Sequence, residues 1–307
     1  CCCFAGGRHA VIHGLPYLAW YHQKWGSGDR NVPRAIFTIW EVSMESNKKF
    51  VDLLRKAISV TRGRISEREV FRDFIAFCAL QLSVLTDPVH PERAEQLQKI
   101  KENYEAEELT AFSQTFLELA QTIERNIDQG VYEDLLGMAY NECGATNRAL
   151  EQVFTPPDVA RLMAQFVFGQ PKELPSEGHF TLNDPTCGSG ALLLAAAEQT
   201  AHNGYDTCEQ LVIQASDVDI CCVQMTYIQL ALYGIPAVVV HGEVIAMKEY
   251  DRWYTPVYLW GKWVWRAPMP FGTVRNKSDE KLKMLDEPMY AACRQMEQLF
   301  RKKGETA

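Results

Sequence analysis

The chain has 307 residues, of which 47% are hydrophobic and 23% charged, and a formal net charge of −8. A chain of this length can bury a core and divide into two domains, and the composition is that of an ordinary globular protein. An acidic chain is as a whole no polycation that coats phosphates, and with no run of about eighteen apolar residues no membrane-spanning helix is expected.

The first 43 residues contain no methionine and open Cys1-Cys2-Cys3. They lack the basic start and apolar core of a signal peptide. Trp40-Glu41-Val42 can be encoded TGG-GAG-GTN, which contains a bacterial-type ribosome-binding sequence just before the Met44 codon. Residues 1–43 therefore read as a non-native upstream extension, with the native start at Met44. From there to residue 150 the pattern is helical. Phe50, Leu53, Leu54 and Ala57 recur at helix spacing, as do Phe71, Phe74, Ile75, Cys78, Leu82 and Leu85. Asp87-Pro88 and His90-Pro91 punctuate the run, and further helices are expected over 94–104, 109–127 and 131–141. A freestanding helical interaction module would look the same.

Residues 151–250 read differently. In Phe154-Thr155-Pro156-Pro157-Asp158, Thr155 suits a helix N-cap, Pro156 the first helical position and Asp158 a capping acid. Val159, Leu162, Met163 and Phe166 continue one apolar face. A strand-like run, 179–182, then leads into Asp184-Pro185-Thr186-Cys187-Gly188-Ser189-Gly190 and out into an alanine- and leucine-rich helix, 191–199. Glycine permits positive φ and close backbone approach, and a helix start offers N–H groups to a ligand. Leu193 stands where the dinucleotide pattern Gly-x-Gly-x-x-Gly needs its third glycine. A second strand, 211–215, ends at Ser216-Asp217-Val218-Asp219, followed by a helix from Ile220 to Tyr233 that Asp219 caps. A third, 237–240, ends at His241-Gly242-Glu243. Strand–helix repeats of this kind imply a parallel sheet with right-handed crossovers, whose ligands bind at the carboxyl ends of the strands.

These motifs, in this order, resemble those of the adenine-specific (N6) DNA methyltransferases, and most closely the methyltransferase subunits of type I restriction-modification systems. The resemblance implies an α/β fold: a Rossmann-like, S-adenosylmethionine-dependent methyltransferase sheet preceded by an α-helical region. It implies S-adenosylmethionine as cofactor, held by Phe154, Thr155, Pro156, Asp184, Thr186, Gly188, Gly190, Asp217 and Glu243. By the same resemblance Asp217 would meet the ribose hydroxyls and Glu243 the adenine amine, with Cys187 a small loop residue. No metal is expected: the ten cysteines include no Cys-x-x-Cys. They read as reduced thiols of a cytoplasmic protein.

The family flips the target adenine from the duplex and meets its amine with Asn/Asp/Ser-Pro-Pro-Tyr/Phe. This chain has no such tetrad. Its nearest counterparts are Thr255-Pro256-Val257-Tyr258, which makes Thr255, Pro256 and Tyr258 the catalytic candidates, and Pro268-Met269-Pro270-Phe271. A complete sheet of this class has about seven strands, so the sheet is expected to be incomplete. Residues 251–307 form an aromatic and basic segment with a terminal helix. Trp253, Tyr254, Tyr258, Trp260, Trp263 and Trp265 either pack over a sheet edge or stack on unpaired bases. From Lys262 to Lys303 ten Lys and Arg face five acids, as a solvated helix face or a DNA contact. Two functions remain open. One is an adenine N6 DNA methyltransferase acting with DNA and a specificity or restriction subunit. The other is a catalytically silent relative that serves as a regulator or decoy partner of a restriction-modification system.

Overall fold

The computed structural model describes residues 36–143, 154–169 and 173–267, with side chains from 47 onward. The described residues fall within one compact unit, Val32–Met284. Residues 1–35 of the expected extension, Pro268–Phe271 and the expected terminal helix lie outside the described residues.

The helical region comprises α1 (Ile36–Ser59), α2 (Glu67–Thr86), α3 (Arg93–Glu102), α4 (Ala106–Asp128) and α5 (Leu135–Glu142). The expected native start, Met44, falls inside α1. Local chemistry sets the ends. Ser66 Oγ accepts from Glu69 N at the start of α2, and Glu105 and Glu108 form a reciprocal capping box at the start of α4. Phe71, Phe74, Ile75, Cys78 and Leu82 are buried, each large apolar side chain contributing about 1.5–3 kcal/mol. Phe74 meets Phe112 of α4 edge-on at 5.5 Å. Leu85, at the end of the same stripe, is exposed.

After α6 (Pro157–Phe168) the chain alternates β1 (Phe180–Asp184), α7 (Ala191–His202), β2 (Leu211–Asp217), α8 (Ile220–Leu232) and β3 (Ala237–Glu243). β1, β2 and β3 are parallel neighbours in that order. A hairpin then adds β4 (Lys248–Tyr254) antiparallel to β3, a strand the sequence pattern did not reveal. The fold is thus a mixed four-stranded sheet with helices, preceded by a helical region, and the sheet is incomplete among the described residues. Short α9 (Pro256–Trp260) and α10 (Trp263–Arg266) follow.

Most of the aromatic stretch packs, with Trp265 exposed. Trp253, Tyr254, Tyr258 and Trp263 are buried, three of them in one core with Val212, Val238 and Val240 of the sheet. Of the basic cluster, Arg266 is committed to Glu209 at 2.8 Å and lies 4.0 Å over the Trp263 ring. Arg93 of α3 fixes the helical region to β4. Its guanidinium reaches Asp87 at 3.0 Å and Asp251 at 2.9 Å and lies 3.8 Å over the Trp253 ring. Arg72 of α2 likewise reaches Asp219 at 3.1 Å.

Two details of α6 differ from expectation. Its N-cap is Pro156 and its first residue Pro157, one position later than the Thr155 cap expected, with no side-chain cap bond. Pro157 suits the first turn because that N–H has no intrahelical partner. The stripe of Val159, Leu162, Met163 and Phe166 faces outward, with Phe166 81% exposed. Small residues are buried instead: Ala160 and Ala164 pack against Ala191 and Ala195 of α7. No helix among the described residues is long and apolar enough to cross a membrane.

Candidate functional site

The parallel register brings three carboxylates to one rim. Asp184 ends β1 opposite Ala215, Asp217 ends β2 opposite His241, and Glu243 ends β3 two residues further on. Side chains alternate along a strand, so this pairing sets all three on the same sheet face. The irregularity near His241 and Gly242 lies in β4, where Tyr250 is the extra residue, and leaves the alternation of β3 intact.

The glycine turn between β1 and α7 holds itself. Thr186 N donates to Asp184 Oδ1 at 3.0 Å, Cys187 N to Ser216 O at 2.9 Å and Gly188 N to Asp217 Oδ2 at 2.9 Å. Gly190 N donates to Cys187 O at 2.8 Å. Gly188 and Gly190 have φ of 55° and 95°, the left-handed region that favours glycine. A Cβ on Gly188 would lie 3.3 Å from the Phe154 ring, and one on Gly190 3.2 Å from Thr226 Oγ1. The turn is therefore a cradle closed on one side by Phe154, whose ring meets Tyr140 of α5 edge-on at 5.0 Å. Thr155 beside it is half-buried and Pro156 exposed.

The charges are those of a partly dry acidic rim. Burial holds the Asp184 carboxyl above the ordinary aspartate value, and the nearby Asp217 adds to the shift. Burial also raises Asp217, opposed by the N–H groups of Asp219 and Gly188. Asp217 Oδ1 accepts from Asp219 N and Oδ2 from Gly188 N, both at 2.9 Å. Glu243 is exposed, with Oε1 accepting from the Tyr250 hydroxyl at 2.7 Å. Cys187 is buried and its thiol is pushed far up by desolvation, so it carries no thiolate for nucleophilic work. Among the described residues no group of three or more His, Cys, Asp and Glu could hold a metal ion.

The catalytic candidates Thr255, Pro256 and Tyr258 do not lie at this rim. Thr255 N donates to Ala237 O, and Ala237 is the first residue of β3, at the opposite end of the strand from Glu243. Its hydroxyl is fully buried, donating to Ile235 O and accepting from Ala237 N, both at 2.8 Å. Pro256 starts α9, and Tyr258 is buried in the core beneath β2 and β3. The reason is the hairpin: β4 runs antiparallel to β3 and carries the chain back to the far edge of the sheet.

Sequence reading also missed residues that hold the turn. Asp134, before α5, accepts from Ser189 Oγ inside the turn. Gln229 of α8 donates to Asp134 Oδ1 at 2.9 Å and to Ser189 O at 2.8 Å, and Thr226 Oγ1 donates to Gly188 O at 2.9 Å. Nothing in the spacing of Asp134 announced a partner 55 positions away.

No curated protein matches the chain. The solved structures that resemble it include two methyltransferases. One is a candidate class I S-adenosylmethionine-dependent methyltransferase from Listeria monocytogenes, with 17% identity over 64% of this chain and 53% of that one and a TM-score of 0.38. The other is the methyltransferase subunit of a type I restriction-modification system from Streptococcus thermophilus, with 16% identity over 65% and 59% and a TM-score of 0.33. The chain thus spans between half and three fifths of the length of each. The model of the N-6 DNA Methylase family matches residues 125–251. Over the stretch that holds the glycine turn and all three rim carboxylates, the chain thus carries the pattern of the N-6 DNA methylase family.

Proposed function

We propose that the rim binds S-adenosylmethionine and that the chain acts in methyl transfer to adenine N6 in DNA. One observation carries the choice of ligand. The N–H groups of Thr186, Cys187, Gly188 and Gly190 are engaged within the turn and the adjoining strand, and the surrounding side chains are acidic. A phosphate site needs open amides and positive surroundings. An acidic rim suits a ligand that carries positive charge and ribose hydroxyls. Asp184 would face the charged methionine end, Asp217 would accept from the ribose hydroxyls, and Glu243 would lie toward the adenine amine. Phe154, Thr155 and Pro156 would border the methionine end beside the glycines. When bound, the cofactor supplies the electrophilic methyl group.

What these residues do is bind and orient. Thr255 is placed where it cannot meet a substrate amine at the rim, and this favours a second reading. In that reading the chain binds the cofactor without transferring methyl itself, as a regulator or decoy partner of a restriction-modification system. Titration calorimetry with S-adenosylmethionine tests the site, and folded protein that gives no heat ends both readings. Tritium transfer from the cofactor to unmethylated DNA, alone and with candidate specificity or restriction subunits, separates them. Transfer that Asp184→Ala abolishes supports the methyltransferase. Binding without transfer under every pairing supports the silent relative.

A further inference from the structure

We propose that Asp134 is a positioning residue that sets the glycine turn for its ligand, acting through Ser189. The inference rests on the cofactor reading and extends it to a residue of the helical region. A helix cap requires one carboxylate oxygen, and Asp134 Oδ1 fills that role by accepting from Gly137 N at 2.8 Å. The other oxygen, Oδ2, accepts from Ser189 Oγ. Ser189 is the single residue between two left-handed glycines, and it is 1% exposed. Glycines have the freest backbone rotation in the chain, so a peptide between two of them is the natural hinge of the turn. Rotation at Ser189 would swing the Gly188 carbonyl and the start of α7 together.

The clamp is tight on every side. Gln229 of α8 donates to both members, to Asp134 Oδ1 and to Ser189 O, while its own carbonyl oxygen accepts from Leu136 N at 3.2 Å. A side chain on Gly137 would run into Asp134 Oδ2 and Ser189 Oγ, so the backbone of α5 presses on the pair. The same short helix carries Tyr140, which backs Phe154 on the other side of Gly188. The first turn of α5 therefore grips the hinge, and its last turn supports the wall. Removing the Asp134 carboxyl takes away one hold on the hinge, leaving Gln229 on Ser189 O and Thr226 on Gly188 O, and touches no rim carboxylate.

The test uses the full chain with Asp134→Ala, Asp134→Asn and Ser189→Ala. Hydrogen exchange of a peptide covering 186–193 is measured without ligand, with a β3 peptide as reference, and affinity for S-adenosylmethionine by calorimetry. Losing one such bond is expected to weaken affinity about tenfold and to speed exchange in the turn but not in β3. Asp134→Asn keeps an acceptor for Gly137 and a polar partner for Ser189, and it should restore affinity to within about threefold of wild type. If Asp134→Ala fails to fold, Ser189→Ala, which deletes a single oxygen, decides alone. Variants that bind like wild type with unchanged exchange in the turn overturn the proposal. So does exchange that rises equally in β3, which marks plain loss of stability. A wild type that gives no heat overturns the cofactor reading and the proposal with it; a wild type that binds while its variants bind equally well overturns the proposal alone.

Discussion

Gly188 N donates to Asp217 Oδ2 at 2.9 Å, joining the turn after β1 to the tip of β2 across 29 positions of sequence. One carboxylate thereby both shapes the glycine cradle and forms part of its acidic wall. The bond explains how two motifs separated by a whole helix are held in fixed relation before any ligand arrives.

The acidic rim predicts a stability that depends on pH. The Asp184 carboxyl is held above its ordinary value, chiefly by burial and then by Asp217. Between the unfolded and the raised folded value the folded protein keeps a proton that the unfolded chain has released. Stability therefore falls as pH rises through that window and stays lower above it. Asp184→Asn keeps the acceptor for Thr186 N and removes the penalty. Its Tm should exceed that of wild type at neutral pH and converge with it below the aspartate range. Thermal unfolding across pH checks this; parallel curves for the two proteins would refute it.

The same shift governs the ligand. Cofactor affinity should be full at neutral pH and fall as pH drops into the raised Asp184 and Asp217 range, where both acids gain protons. Binding there should release protons, seen in calorimetry as heat that varies with the ionisation enthalpy of the buffer. Heat independent of the buffer in that range would place the two acids outside the binding step.

Gly190→Ala should destabilise the protein by about 1–2 kcal/mol, the cost of a Cβ at left-handed φ. Its Cβ would also stand 3.2 Å from Thr226 Oγ1, so the turn must shift and cofactor affinity should fall with stability. Urea unfolding and calorimetry measure the two losses. Unchanged affinity would mean that the turn does not line the site.

Thr255→Ala should lower stability by about 1–3 kcal/mol, because Ala237 N loses its buried acceptor. Cofactor affinity should not change, since the residue lies at the foot of β3. A large loss of affinity or of methyl transfer in well-folded protein would return Thr255 to the site.

Arg93→Met should be the most damaging of these substitutions, at about 3–5 kcal/mol, because it leaves the buried Asp87 carboxylate without its guanidinium. Urea unfolding checks it, and a loss under about 1 kcal/mol would show the pair to be replaceable.

The legible part of the chain was the part built from local rules. Asp219 capping α8, the left-handed glycines and the parallel strands ending in Asp184, Asp217 and Glu243 all follow from short-range chemistry and simple periodicity. β4 escaped because Lys248–Tyr254 mixes charged and aromatic residues, buried only from Arg252 on, and so shows no clean alternation. The outward stripe of α6 escaped because periodicity reveals a face but not its direction. Two alanines settle the matter by allowing close approach to α7. The misplacement of Thr255 follows from β4: without the reversal, a residue soon after Glu243 counts as a neighbour of the rim.

That reversal has a geometric corollary for any chemistry on a large substrate. From Lys248 onward each residue of β4 steps down and away from the hollow, so the returning strand acts as a buttress. Residues that follow it in the chain, Thr255 and Tyr258 among them, therefore stand at the foot of the sheet and brace the strands whose tips form the hollow.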